Sequence, residues 1–201
     1  IVVEGYIDFL QLYQNNYQNV VAVSGTAFTQ KHAKKLKRYS ENVVLVFDGD
    51  SAGIKAAIRS GYVLTIEGIS PKIIEMPSGF DPDDMMVKGK QKEFEELLQN
   101  PIPLIEFHFT NFDGGVDSTQ QLNSFARESI LEISRIDDAI FRELMIRELA
   151  EVSKLREENL YQKLTLLTNR NKNRLPKFPI KKTETIFKVD KSRRDKIEEE
   201  I

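Results

Sequence analysis

The chain has 201 residues, 40% of them hydrophobic and 30% charged, which is ordinary for a folded domain with a substantial core. It has no Cys and only two His, His32 and His108, so disulfides, thiol nucleophiles and zinc sites built on Cys or His are excluded within it. No apolar run approaches the roughly 18 residues of a membrane helix and no signal peptide is evident, so no membrane association is expected. Because the first residue is an Ile inside an apolar run, we expect a piece of a longer protein.

The charges are unevenly distributed along the chain. Residues 170–201 carry 11 Lys and Arg against 6 Asp and Glu, whereas residues 1–169 carry 18 against 25. The net charge of −2 therefore combines an acidic body with a basic tail.

The first 77 residues alternate short apolar runs with stretches of helical periodicity, which predicts a parallel sheet covered by helices. The run at 43–47 is continuously apolar, as in a strand buried on both faces, and it should be central. The predicted strands are 1–3, 20–23, 43–47 and 72–76, and the predicted helices are 6–15, 29–39 and 51–67.

Helical periodicity dominates after two prolines, Pro101 and Pro103. Helix starts are predicted at Asp117-Ser118 and at Asp137-Asp138, with a shorter third helix near 157–167. From residue 169 the chain is polar and basic, which favours a linker or a weakly stable tail helix. We therefore expect an α/β unit of about four parallel strands at 1–100, a small all-α subdomain at 101–168, and a basic linker or tail at 169–201.

Acidic residues follow three of the four predicted strands. Ligands of open parallel sheets bind at the carboxyl ends of the strands, so these side chains should converge there. Asp8 lies one helical turn after Glu4 and can point back to the same place. The predicted cluster consists of Glu4, Asp8, Asp48, Asp50, Asp81 and Asp83.

Six neighbouring carboxylates repel one another unless cations neutralise them. Oxygen ligands without His or Cys select Mg²⁺ or Mn²⁺, which can serve phosphoryl transfer. The alternative is that single residues of the set, such as Asp8 or Asp84, only cap helices.

Four blocks of the sequence follow one another in order, namely Val3-Glu4-Gly5-Tyr6-Ile7-Asp8, Gly25-Thr26-Ala27-Phe28-Thr29, Val46-Phe47-Asp48-Gly49-Asp50-Ser51-Ala52-Gly53 and Asp81-Pro82-Asp83. These blocks are similar to the ordered motifs of the Toprim domain of bacterial DnaG-type primases. The region after residue 100 resembles the helical end of the primase catalytic core. The resemblance covers roughly residues 1–168. Phe28 departs from it, because Leu is more usual there.

The resemblance implies that Glu4, Asp48 and Asp50 are metal-binding, catalytic acids and that Asp8, Asp81 and Asp83 line the same site. It implies Mg²⁺-dependent or Mn²⁺-dependent synthesis of RNA primers from ribonucleoside triphosphates on single-stranded DNA, in a monomeric protein of the bacterial cytoplasm associated with the nucleoid. Zinc is expected only in an upstream domain outside this chain. A replicative helicase is expected to bind a carboxyl-terminal domain, also outside, which the helices from about 117 to 168 precede.

Other residues could bind the substrate. Ser24 and Thr26 follow a strand and could bind the substrate or simply form a turn. Gly53 opens a helix whose N–H groups could meet a triphosphate, although helix capping alone would also explain this glycine. Lys34 and Arg38 belong to a basic helix stripe that could follow phosphates or could simply face solvent. Two alternative functions are a Toprim nuclease of the OLD type, which uses the same acids to cleave, and a non-catalytic Toprim scaffold that binds DNA and in which the acidic site is vestigial.

Overall fold

A computed structural model describes residues 1–25 and 27–174. Thr26 and residues 175–201, which include most of the predicted basic tail, lie outside the described part of the chain. Nine α-helices and five short strands make up that part. None of its helices combines the length and the apolar character that crossing a bilayer requires.

The sheet has the strand order β2-β1-β3-β4-β5. The first four strands are parallel, with Val2 beside both Val21 and Leu45, and β5 pairs antiparallel with β4 at the edge. The strands are β1 (Val2–Val3), β2 (Val21–Ala22), β3 (Val44–Val46), β4 (Lys72–Ile73) and β5 (Ile102–Pro103). The prediction of four parallel strands with the third in the centre is confirmed, and β5 adds an edge strand that was not predicted.

The helices are α1 (Tyr6–Gln14), α2 (Gln30–Lys37), α3 (Ser51–Ile66), α4 (Pro82–Val87), α5 (Gln91–Gln99), α6 (Leu104–Asn111), α7 (Thr119–Ile133), α8 (Ala139–Ser153) and α9 (Glu157–Arg174), with a 3-10 turn at Phe112–Gly114. Ser118 caps α7 and Asp138 caps α8, as predicted. The third helix of the helical region was predicted to end near 167, but α9 extends to Arg174.

Alternation along the strands divides the apolar side chains between two cores. Val3 and Val46 face one side of the sheet, where they pack with Leu12 of α1, Met85 of α4 and Phe94 of α5. Their neighbours Val2 and Leu45 face the other side, because successive side chains of a strand point to opposite faces. The sheet is therefore covered by helices on both faces.

The second core continues from the sheet into the helical region. Leu45 and Ile73 of the sheet belong to the same buried cluster as Phe125, Ile133 and Leu149 of α7 and α8. The hydroxyl of Tyr62 on α3 lies 2.9 Å from Nδ1 of buried His108 on α6 and donates to Ser129 of α7 at 3.3 Å. The helices α6–α9 are therefore fixed to the sheet that carries the acids.

Candidate active site

The six acids lie where β1, β3 and β4 end. Glu4 follows β1 directly, Asp48 and Asp50 follow β3, and Asp81 begins α4 after β4. The loops after β3 and β4 also touch, since the N–H of Gly49 donates to the carbonyl of Phe80 at 2.9 Å. A Cβ at Gly49 would lie 2.2 Å from the carbonyl oxygen of Pro77, so this approach requires glycine.

The structure brings these acids close enough together for their negative charges to raise one another's pKa values. Burial raises the pKa of Asp48 to about 6, with further increases from the charges of Glu4, Asp8, Asp81 and Asp50. Burial also raises the pKa of Glu4, assisted by Asp50 and Asp8. Within residues 1–25 and 27–174, no basic side chain contributes to either shift, so Glu4 and Asp48 are not balanced by a cation from this part of the chain.

Asp8 is the most enclosed acid of the group, with only 6% of its surface exposed. Its Oδ2 accepts from the N–H of Gly5 at 2.9 Å, and its Oδ1 accepts from the N–H of Asp83 at 3.3 Å. Burial raises its pKa, and these two hydrogen bonds oppose the increase. Asp8 therefore joins the loop that carries Glu4 to the start of α4.

Two other acids act partly as helix caps. Oδ1 of Asp50 accepts from the N–H groups of Ala52 and Gly53 at 2.9 and 2.7 Å. Asp81 caps α4 by accepting from the N–H of Asp84 at 2.6 Å. The capping role that the sequence left open for Asp84 falls to Asp81, and Asp84 instead pairs with Lys88 at 2.9 Å.

The acids fit a hard cation in their chemistry. Among the described residues, the buried Oδ1 of Asp83 has no hydrogen-bond partner, an arrangement that an added cation would relieve. Within residues 1–25 and 27–174, however, no three acidic or His side chains are close enough to form a ready metal cage.

The weaker substrate-binding predictions have mixed outcomes. Ser24 lies beside the acids, because its backbone N–H donates to the carbonyl of Glu4 at 3.0 Å, and its side chain is exposed. The N–H of Gly53 is already donated to Asp50, and a Cβ at Gly53 would lie 2.3 Å from the carbonyl oxygen of Asp48. This glycine thus permits α3 to pack closely on Asp48.

The basic stripe of α2 faces away from the acids. Lys34 pairs with Glu67 at 3.8 Å, and Glu67 is the C-cap of α3. The 16 residues of α3 separate that end from the Asp50 end by about 24 Å. The structure therefore does not bring Lys34 to the acids, and Arg38 is the exposed residue that ends the same helix, α2.

A pocket of about 270 Å³ opens beside Glu4. Val23, Gly25, Phe28, Phe47 and Arg59 are among the residues that line it. The sequence did not single out Arg59, because only the apolar stripe of α3 was assigned. The signal that could have identified Arg59 is its position, nine residues after Asp50 on a helix that starts at the acids.

Comparisons with known proteins agree with the fold. Residues 1–86 match a family model described as Toprim-like. The DNA primase of Clostridium acetobutylicum is 31% identical over 180 residues, which are 89% of this chain and 30% of that protein. The chain thus spans less than a third of this relative.

Solved primase structures share the fold. A DNA primase domain from Pseudomonas aeruginosa is 30% identical with a TM-score of 0.68, and the match covers 84% of this chain and 54% of that one. A DnaG primase catalytic domain bound to single-stranded DNA is 27% identical with a TM-score of 0.66, covering 79% of this chain and 52% of that one.

A second family match corrects one prediction. Residues 113–158, which hold α7 and α8, match a model described as the DnaB-helicase binding domain of primase. The expectation that these helices only precede the helicase-binding part is therefore wrong, because their own sequence is similar to that part. The periodicity of the sequence predicted amphipathic helices, but periodicity alone does not identify the partner that such helices bind. With its Toprim-like unit followed by this helical region, the chain belongs to the DnaG-type primase family.

Proposed function

We propose that this chain is the metal-binding portion of a primase catalytic core that joins ribonucleoside triphosphates into RNA primers on single-stranded DNA. The observation that carries the proposal is the electrostatic cluster at the ends of β1, β3 and β4, where the pKa of Asp48 is raised to about 6 by burial and by four neighbouring acids. Such a desolvated, unbalanced set of carboxylates is suited to divalent cations and phosphates.

Glu4, Asp48 and the free Oδ2 of Asp50 are the groups that would hold Mg²⁺ or Mn²⁺, with Asp81 and Asp83 beside them. When bound, the metal would supply charge stabilisation for the transferring phosphoryl group. The chain's own contribution is positional. Asp8 fixes the Glu4 loop against α4, and Asp50 orients the start of α3 through its capping bonds.

The partners follow from the same proposal. Single-stranded DNA and ribonucleoside triphosphates would enter at the acids, and a replicative helicase would contact the region 113–158, which resembles a helicase-binding domain. Zinc would belong to a domain outside this chain, and the bacterial nucleoid would be the place of action. The division into 1–100, 101–168 and 169–201 stays part of the proposal, and one buried core crosses the limit between the first two parts.

A chimaera tests the proposal directly. This chain would replace the matching segment of the Clostridium acetobutylicum primase, and the product would be assayed for RNA synthesis on single-stranded DNA with Mg²⁺. We expect primers from the chimaera and none after Asp48→Ala, while Asp137→Ala, at an exposed loop residue, retains synthesis. Mn²⁺ binding to the unfused chain, lost in Asp48→Ala, is the second readout if the chimaera does not fold.

The two alternative functions give different products in that assay. Cleavage of the DNA without RNA would indicate a nuclease. Binding of DNA with neither product would indicate a scaffold. Either result, with Mn²⁺ binding intact, would overturn the primase proposal.

A further inference from the structure

Arg59 is an exposed residue of α3 that lines an adjoining cavity as well as the cavity that contains Glu4. Among the described residues that line this cavity, Arg59 is the basic one, and Glu4 is the acidic one. Nine residues of helix place it about 13 Å along the axis from Asp50, so it shares a cavity with the acids without belonging to their cluster.

Arg59 is not committed to another role in the described part of the chain. No ion pair or side-chain hydrogen bond involves it there, although several other basic residues, such as Lys34, Lys88 and Arg135, are paired with acids. It does not neutralise Glu4 either, because the two form no ion pair. Its guanidinium is therefore available to an anion that enters the cavity.

The cavity has the size and the lining of a phosphate subsite. Its volume of about 270 Å³ is below the roughly 300–1,000 Å³ typical of whole-ligand pockets, so it suits a phosphate with part of its sugar. Phe28 and Phe47 form apolar walls, and a less polar surrounding strengthens the attraction between a guanidinium and a phosphate. Arginine also offers two parallel N–H donors to phosphate oxygens.

We propose that Arg59 binds a phosphate group of the nucleotide substrate or of the nucleic-acid strand in the cavity beside Glu4. This inference rests on the proposed function, because Glu4 alone would repel a phosphate and its charge must first be balanced by a divalent cation. Binding should therefore require Mg²⁺ or Mn²⁺ together with Arg59. Lys55, one helical turn earlier on α3 and also exposed, lines the adjoining cavity with Arg59, a cavity that also contains the acidic residues Glu128 and Glu132.

Binding titrations with two probes test the inference. The 201-residue chain is titrated with ATP and, separately, with a fluorescein-labelled dT12 strand, in Mg²⁺ and in EDTA. Arg59→Gln should weaken at least one probe by about tenfold or more in Mg²⁺. Arg127→Gln is the matched control, because Arg127 is an exposed helical arginine on α7 outside these cavities, and it should bind like the parent.

The pattern of loss identifies the source of the phosphate. Weakening of ATP alone assigns Arg59 to the incoming nucleotide, and weakening of dT12 alone assigns it to the strand. Equal binding by Arg59→Gln and the parent, or no Mg²⁺-dependent binding of either probe by the parent, would overturn the inference.

A separate Mn²⁺ titration distinguishes a failure of the phosphate subsite from a failure of the proposed function. If Mn²⁺ binds and depends on Asp48 while Arg59→Gln has no effect, the phosphate subsite fails and the proposed function stands. If Mn²⁺ does not bind, the proposed function fails first. Side-chain NMR signals of Arg59 in the parent, followed during addition of Mg²⁺ and ATP, give a second readout that needs no variant, and unchanged signals would contradict the subsite.

Discussion

Asp48→Asn should stabilise the metal-free chain at pH 8. The pKa of Asp48 is raised from 3.8 to about 6 in the folded chain. Because the folded state holds this proton more tightly than the unfolded state, stability falls as pH rises from about 4 to about 6 and stays lower above that range. A shift of about two units corresponds to about 3 kcal/mol. Solvent screening of this partly exposed group reduces the effect to about 1 kcal/mol.

Thermal unfolding in EDTA measures the effect. For a chain of this length, about 1 kcal/mol raises Tm by about 2–4 °C. The gain should be present at pH 8, smaller at pH 6 and absent at pH 4, where Asp48 carries a proton in the parent. Asp137→Asn is the control, since this exposed carboxylate outside the cluster should show no such pattern.

Added Mn²⁺ should reverse the order of stability. A ligand at about 100 times its Kd stabilises the folded state by about 2.7 kcal/mol, and the parent would gain this while Asp48→Asn would not. The reasoning is refuted if Asp48→Asn is no more stable than the parent at pH 8 in EDTA, or if its gain persists unchanged at pH 4.

Two further substitutions test the packing that positions the site. Gly53→Ala should lower the free energy of unfolding by about 1–3 kcal/mol and weaken Mn²⁺ binding, because the added Cβ would lie 2.3 Å from the carbonyl oxygen of Asp48. Denaturant unfolding measures this loss, and a Gly53→Ala chain as stable as the Ser51→Ala control would contradict the prediction. Tyr62→Phe should lower the free energy of unfolding by about 1–3 kcal/mol, because Nδ1 of buried His108 loses the hydroxyl that lies 2.9 Å away. The exposed control Tyr39→Phe should be neutral, and an equally neutral Tyr62→Phe would show that this network does not hold α6 to α3.

Strong local patterns made much of the fold predictable. The continuous apolar run around Leu45 marked a strand buried on both faces, and the polar pair Asp117-Ser118 marked the start of α7, where Ser118 is the cap. The edge strand β5 was missed because it is two residues long and contains a proline, which argues against a strand. The short helix α4 was missed because six residues give too little periodicity to detect.

The position of the acids was predictable, and their individual roles were not. Strand-end spacing correctly placed Glu4, Asp48 and Asp81 at one edge of the sheet. The hydrogen bonds of Asp8 to Gly5 and Asp83 depend on the approach of α4 to α1, a tertiary contact that no local pattern contains. For the same reason, Lys34 could be placed on a basic stripe but not at the far end of α3 from the site.

Mn²⁺ binding to the 201-residue chain, followed by calorimetry at pH 8, tests the central claim most directly. Carboxylates drawn from three strand ends should bind the ion in the parent, and Asp48→Ala should abolish that binding while Asp137→Ala preserves it. A folded parent chain that binds no Mn²⁺, or binding that survives Asp48→Ala unchanged, would contradict the assignment of these acids as a metal-dependent catalytic site.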